Sequence, residues 1–304
     1  MTLTSSAPPT AGAAPEAARG RRPAAVRTLL RNRLAVVALA FLAVLLVAAV
    51  FAPLIAPDDP NAQDLLMRLT PPAWQHGGSG AHLLGTDQLG RDMLSRVVYG
   101  TRVSLLVGAG AALLAGVIGT VVGLAAGYFG GWPDRVLMRL ADVQLAFPSI
   151  LLALAIVGFF GSGLWYVILV LGITGWVSYA RVVRSEVMSL RSRDFVTEAR
   201  AIGVTDVAIM RRHLLPNVMA PLATIGTLHI AAAIVAEASL SYLGLGVPKE
   251  TVTWGSMLAD GQLYLGTSWW VAVFPGIALM LTSLAVNITG DALRDVADPK
   301  AYRR

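Results

Sequence analysis

The stretch Val103-Ser-Leu-Leu-Val-Gly-Ala-Gly-Ala-Ala-Leu-Leu-Ala-Gly-Val-Ile-Gly-Thr-Val-Val-Gly-Leu-Ala-Ala-Gly-Tyr128 carries no charged side chain from end to end. A water-soluble core has little reason to hold so long an uncharged run, whereas a hydrocarbon layer of about 30 Å needs roughly 20 apolar residues to cross it as a helix. Within the run, Gly108, Ala112 and Gly116, then Gly119, Gly123 and Gly127, recur four apart on neighbouring helical faces. Small residues at that spacing let helix backbones approach closely. They suit ordinary packing first, and a moving or solute-lining face second.

Working outward, further apolar runs cover residues 34–53, 137–159, 164–183, 218–245 and 270–289, which makes six with 103–128. The fold class expected is all-α: a polytopic membrane protein with about six transmembrane helices. Composition agrees, because the chain is 56% hydrophobic and 14% charged with a mean hydropathy of +0.66, on the apolar side of what soluble domains show. The run from Leu34 exceeds the roughly 7–15 residues of a signal-peptide core, so it reads as an uncleaved first span.

Residues 1–33 are rich in Ala, Pro, Ser, Thr and Arg and read as a largely disordered basic tail rather than a targeting peptide. Pro53, Pro57 and Pro60 end the first span, and residues 54–101 read as a long polar loop. Residues 102–291 form the helical core, with Pro148 a kink site in the third span, and 292–304 form a short tail. Most of the 24 Lys and Arg residues fall in the N-terminal tail, the 181–212 region and the C-terminus. The positive-inside rule then places both termini in the cytoplasm.

A net charge of +6 distributed between apolar runs reflects orientation in the membrane and lipid contact, not nucleic-acid binding. Zero cysteines exclude disulfides and thiolate metal sites, and His76, His82, His213 and His229 lack zinc-ligand spacing, so no metal is assigned. Phosphate-loop, nucleophile-elbow and H-E-x-x-H motifs are all missing. The chain therefore reads as neither an ATPase nor a hydrolase, and no catalytic residue or cofactor is assigned. Energy for uphill transport would have to enter through another chain or an ion gradient.

Two places stand out. Glu237 lies deep in the fifth run, where an unpaired carboxylate facing lipid would cost several kcal/mol, so it must face protein or water. It is either a hydrogen-bonded structural group or an intramembrane gate. Asp142 and Arg139, three apart, read as a local helix pair.

The second place is Arg193-Asp-Phe-Val-Thr-Glu-Ala-Arg-Ala-Ile-Gly-Val-Thr-Asp-Val-Ala-Ile-Met-Arg-Arg-His-Leu-Leu-Pro-Asn217. It reads as helix, break, helix: Gly203 supplies the permissive position after the first helix, Thr205 the cap of the second, Asp206 complements its positive end, and Pro216 stops it. Such a pair is either a rigid projecting lever or a connector lying on the lipid surface.

At this loop the chain resembles the integral-membrane subunits of ABC importers, whose motif runs E-A-A, three residues, Gly, and a Leu-Pro ending. Gly203 and Leu215-Pro216 match, and the leading positions are Thr197, Glu198 and Ala199, with the acidic residue displaced by one. Four more blocks extend the resemblance to the C-type permeases of dipeptide, oligopeptide and nickel importers: Leu84 to Asp92 with Ser95-Arg96, Asp142 with Ala146-Phe147-Pro148, Glu237 to Gly246 with Trp254-Gly255, and Gly290 to Asp295 with Asp298-Pro299.

The resemblance implies a type I ABC importer permease fold and alternating access. It implies a heterodimer with a second permease, two cytoplasmic ATPase subunits that bind the ATP, and an extracytoplasmic solute-binding protein. It implies a coupling loop over residues 194–215, with Thr197, Glu198, Ala199, Ala201, Gly203, Asp206, Leu215 and Pro216 facing the ATPase. The rival expectation is an ion-coupled secondary transporter, in which Glu237 and Asp142 would be ion sites.

Overall fold

The computed structural model describes residues 32–248 and 250–297. Residues 1–31 of the expected basic tail, Lys249, and the 298–304 part of the expected C-terminal tail, with Asp298-Pro299, lie outside them. Among the described residues the regular structure is helical, and the one extended pairing is an isolated bridge between Thr86 and Asp92. Helices suit hydrocarbon because each backbone N–H and C=O is satisfied within its own segment.

Helix α1 (Arg33–Val50) opens on Asn32, whose side chain accepts from the N–H groups of Leu34 and Ala35. It buries only Ala35, Ala38 and Ala49, so it lies at the edge of the bundle with most of its apolar surface outward. After the short α2 (Ala52–Ile55), the chain runs through an irregular segment to α3 (Met93–Phe129). Helix α3 begins ten residues before the uncharged run suggested. Asp92 is the reason, since its carboxylate accepts from Ser95 N–H at 2.8 Å and caps the first turn. At 1.5 Å per residue α3 is about 55 Å long, so it extends beyond the hydrocarbon layer.

The shortened loop is itself built. The Asp87 carboxylate pairs with Arg91 and lies 3.5 Å from Arg96, while Asp260 reaches Arg91 at 3.4 Å. Both arginines are buried, and Trp270 Nε1 donates to Thr86 O at 3.0 Å. These bonds fix the loop against α3 and the last span.

The third apolar run is not one continuous helix. It divides into α4 (Gly131–Leu145) and α5 (Ser149–Phe160), bent by 87° at Ala146-Phe147-Pro148. Pro148 has no N–H to continue the ladder and disfavours helical geometry at Phe147, so a kink becomes a break. Asp142 pairs with Arg181 at 2.7 Å, not with Arg139, because its side chain faces α6 (Leu164–Leu190). Among the described residues five helices are long and apolar enough to cross a membrane, six if the bent pair counts as one.

Beyond α6 come α7 (Asp194–Ala201), α8 (Asp206–Ile209), a π-helical turn at Met210–Leu214, and α9 (Leu215–Tyr242). Two expectations change here. Thr205 occupies the cap position of α8, but its side chain makes no capping hydrogen bond. Pro216 does not stop the second helix; it sits in the first turn of α9, and residues 206–242 run on as one continuous helical rod. In regular α-geometry the proline ring would collide with the carbonyl of Arg212, and the wider π-turn before it absorbs that conflict. The described residues end in α10 (Trp254–Gly261), opened by a Thr253–Ser256 capping box, and α11 (Trp270–Ala297).

The tightest packing is between α3 and α6. A Cβ added at Gly119, Gly123 or Gly127 would lie 2.5 Å from Trp176 O, 2.6 Å from Ala180 O and 2.8 Å from Arg184 O respectively. The stripe read from the sequence therefore seats α3 directly on the backbone of α6. Gly123→Ala should force the two helices apart and lower stability by about 1–3 kcal/mol. Gly158→Ala, in α5 where nothing lies within 4 Å, should be neutral or stabilising by up to about 1 kcal/mol. Thermal unfolding of the two variants in the same detergent checks the contrast.

Candidate functional site

The sequence-predicted residues fall at opposite ends of the bundle. At one end, the C-termini of α3 and α6 meet α7, α8 and the start of α9. Val196 and Ala199 of α7 are buried against Val183 and Val187 of α6, together with Ile209, Leu214 and Val218. The opposite face of α7 carries Thr197, Glu198 and Ala201, all exposed.

The break between α7 and α8 is a Schellman motif. Val204 N–H donates to Ala199 O and Gly203 N–H to Arg200 O, both at 3.0 Å, and Gly203 has φ +80°. That conformation costs a residue with a Cβ roughly 1–2 kcal/mol, which is why glycine stands there.

Polar contacts lock the rest of the unit. Tyr128, at the last turn of α3, donates its hydroxyl to the Asp206 carboxylate and accepts from Arg200 Nε at 3.2 Å. The Arg200 guanidinium also lies 4.8 Å from the Tyr128 ring centroid. Arg191 Nη1 donates to the carbonyls of Gly127 and Tyr128 at 3.3 and 3.2 Å, occupying acceptors that the end of α3 would otherwise leave open. Arg184 grips Asp134 of α4 with two parallel bonds, the Nη2 to Oδ2 one at 2.7 Å. One helix-break-helix element is thus fastened to α3 and α6, and α4 to α6. Its apolar tip stays outside: Ile202 is 81% and Val207 68% exposed.

Sequence reading missed Tyr128, Arg184 and Arg191. Their partners lie between 50 and 78 residues away in the chain. No local pattern announces contacts at that separation.

Toward the other end, Glu237 on α9 has no solvent exposure; its Oε1 accepts from Ser241 Oγ at 2.7 Å, and its Oε2 is buried without a hydrogen-bond partner. It faces protein inside the bundle. Ser241 in turn lines a polar opening of about 620 Å³ beside Arg91, Arg96 and Asp260. The structure does not bring Glu237 together with residues 194–215, nor with Asp142, which is half exposed beside Arg181.

With this geometry in place, the comparisons are specific. Residues 119–303 match the family described as the binding-protein-dependent transport system inner membrane component, and residues 24–72 match the N-terminal transmembrane domain of oligopeptide transport permease C. The chain belongs to this permease family. It is 43% identical to the di/tripeptide transport system permease protein DppC of Pseudomonas aeruginosa, over 88% of this chain and 89% of that one. It is 45% identical to the dipeptide transport system permease protein DppC of Escherichia coli, over 89% and 90%. A putative peptide transport system permease of Brucella abortus is 41% identical over 98% of both chains.

A chain of the MetNI methionine ABC transporter, in an inward-facing conformation, superposes with a TM-score of 0.55 at 20% identity, covering 67% of this chain and 97% of that one. This likeness establishes the fold as that of a type I ABC importer permease. The protein is therefore a multi-pass inner-membrane permease of an ABC importer, a class that works with ATPase and substrate-binding partners.

Two expected outcomes follow from the geometry. Tyr128→Phe removes the hydroxyl that joins α3 to α8, at a cost of about 1 kcal/mol. Amide hydrogen exchange should then rise across residues 206–215 while the centres of α3 and α6 keep their protection. At the other end, Glu237→Gln keeps a partner for Ser241, whereas Glu237→Leu leaves that buried hydroxyl unpaired. The yield of folded protein should fall further for Leu than for Gln, and equal yields would show that the carboxylate has no polar duty.

Proposed function

We propose that this permease moves peptides through a heterodimer formed with a second permease, and that residues 194–215 transmit the work of two cytoplasmic ATPase subunits to it. The observation that carries the reading is the Gly203 break. It is held by backbone hydrogen bonds and fastened to two spans, yet it presents Ile202 and Val207 unpaired at its tip. A rigid projection with exposed apolar side chains is suited to insertion into another protein and poorly suited to water. Thr197, Glu198, Ala201 and Asp206 surround the tip, Ala199 anchors it, and Leu215 and Pro216 join it to α9.

ATP is bound and hydrolysed by the partners, and this chain needs no cofactor of its own. Solute arrives from an extracytoplasmic binding protein. The names of the relatives, which include dipeptide and di/tripeptide permeases, support peptide as cargo. The arginine distribution supports cytoplasmic termini, with the 194–215 end on the cytoplasmic side and the built loop of residues 56–92 outside. Each partner drives the cycle only to the extent that it binds the inward- and outward-facing states with different affinity.

The absence of cysteine makes orientation simple to test. Ser79→Cys and Thr251→Cys should react with an impermeant thiol reagent in intact cells, and Ser192→Cys only after the membrane is opened. Labelling of Ser192→Cys in intact cells would reverse the proposed orientation.

Gly203→Val tests coupling. A β-branched residue at φ +80° must distort the break without touching the spans, since nothing lies within 4 Å of the position. The variant should insert and assemble, yet lose ATPase docking or hydrolyse ATP without uptake. Ala201→Cys should crosslink to the ATPase subunit with a yield that changes on ATP binding. Wild-type uptake by Gly203→Val, together with no crosslink in any nucleotide state, would remove the coupling role.

A further inference from the structure

We propose that Asp58, His82 and Asp92 form a binding site for one divalent cation of the Zn²⁺ class, which ties the segment leaving the first span to the start of α3. The proposal is independent of cargo and of coupling. The isolated Thr86–Asp92 bridge folds the loop back so that His82 meets the cap of α3, with its Nδ1 3.1 Å from Asp92 Oδ1. Asp58 approaches the same nitrogen, its Oδ2 at 3.9 Å. One ligand atom from each of the three residues lies within 4.8 Å of the other two. Zn–N and Zn–O bonds of about 2.0–2.2 Å place neighbouring ligand atoms of a tetrahedral site roughly 3.3–3.6 Å apart. The two measured distances fall on either side of that range, and the half-exposed Asp58 has room to close the difference.

Charge points the same way. A neutral imidazole offers at most one proton at Nδ1, so it can serve Asp92 while Asp58 stays aimed at the same nitrogen without a donor. Among the described residues no Lys or Arg lies within 4.0 Å of either carboxylate, and the adjacent Arg96 is engaged by Asp87 and Pro60 O. Two negative charges therefore converge on one nitrogen. A divalent cation in place of the shared proton satisfies all three groups.

The surroundings hold the ligands in position. Ser95 N–H and Oγ both donate to Asp92 Oδ2 at 2.8 Å, which leaves Oδ1 turned toward His82. The same Ser95 Oγ accepts from Asp58 N–H at 3.0 Å. One serine thus positions both aspartates, the orienting role that outer contacts play around metal ligands. One imidazole with two carboxylates suits Zn²⁺ and similar first-row ions, whereas Mg²⁺ and Ca²⁺ favour larger sets of oxygen alone. The fourth position falls to water, so binding is weaker than at a closed four-ligand site. Residues 58, 82 and 92 follow no ligand spacing in the chain and meet only in the fold.

The tie acts where the bundle is lightly held. Helix α1 buries only three alanines, and residues 58–60 rest on α3 through the Asp58 to Ser95 bond and the Arg96 Nη1 to Pro60 O bond at 3.2 Å. A cation shared by Asp58, His82 and Asp92 adds a bridge that spans all three stretches.

The test uses the permease purified in detergent with the subunits that accompany it, stripped with a chelator and titrated with Zn²⁺ by calorimetry. Wild type should bind one more Zn²⁺ per complex than Asp58→Ala or His82→Gln, or bind it at least about tenfold more tightly. Amide hydrogen exchange should slow over residues 56–61 and 79–85 on Zn²⁺ addition, in wild type alone. Asp58→Ala removes a half-exposed side chain and keeps the His82–Asp92 contact, so the comparison stands even where His82→Gln assembles poorly. Excess Mg²⁺ should displace nothing. Equal Zn²⁺ binding by wild type and Asp58→Ala would overturn the site, as would unchanged exchange over residues 56–61 at saturation. Displacement by Mg²⁺ would overturn the class of ion.

Discussion

Everything in this permease hangs on the direct contact between α3 and α6. In hydrocarbon, lipid tails compete with side chains for apolar contact on nearly equal terms, so helices associate by close van der Waals fit more than by escape from water. Gly119, Gly123 and Gly127 provide that fit by removing the side chains that would separate α3 from the carbonyls of Trp176, Ala180 and Arg184. The contact continues to the ends of both helices, where Arg191, just past α6, binds the carbonyls of Gly127 and Tyr128 in the last turn of α3. A pair seated this closely along several turns has little freedom to slide, and it forms the fixed frame against which the other elements are placed.

The element over residues 194–215 inherits its rigidity from that frame. Its buried face rests on Val183 and Val187, the same side chains that meet Gly123 and Gly127 of α3, and Tyr128 ties its second half to the end of α3. The α4–α5 pair is held differently. Helix α4 reaches α6 through side chains: Asp134 to Arg184, Asp142 to Arg181, and Gln144 to Thr174 O at 2.8 Å and to Trp176 Nε1 at 2.7 Å. Side-chain bonds across a gap can be exchanged for others at small cost, while backbone-to-backbone packing cannot. The molecule thus combines a stiff pair with a hinged, polar-latched neighbour.

Much of this was legible in the sequence because the governing signals are local. Uncharged length marks a span, a four-residue repeat of glycines marks a close approach, and Gly203 between two amphipathic segments marks a break. The same locality explains what was not legible. Helix α3 begins at Met93 because Asp92 caps it and Arg96 finds buried partners, and neither residue looks apolar. Pro148 was visible as a kink, but whether a proline bends a helix or breaks it depends on packing around it. Asp142 chose Arg181 over Arg139, a neighbour in space over a neighbour in sequence. The triad of Tyr128, Arg200 and Asp206 joins three elements and has no signature within any one of them.

The helix that starts at the coupling tip gives the proposed mechanism its geometry. Residues 206–242 run on as one helix from Asp206, through the π-turn and past Pro221, to Glu237 and Ser241 toward the opposite end. Its backbone bonds, apart from the one lost at Pro221, stiffen the helix along its length, so under the proposed coupling a tilt imposed at Asp206 is carried toward Glu237. The π-turn at Met210–Leu214 and Pro221 interrupt the regular ladder, and the π-turn lies next to the end that an ATPase would grip under the proposed coupling. Small adjustments there can be absorbed locally, whereas a larger displacement is carried toward Glu237. Under the proposed coupling, the buried Glu237 and the 194–215 element therefore share one helix, which gives the motion a continuous path between the two ends of the bundle.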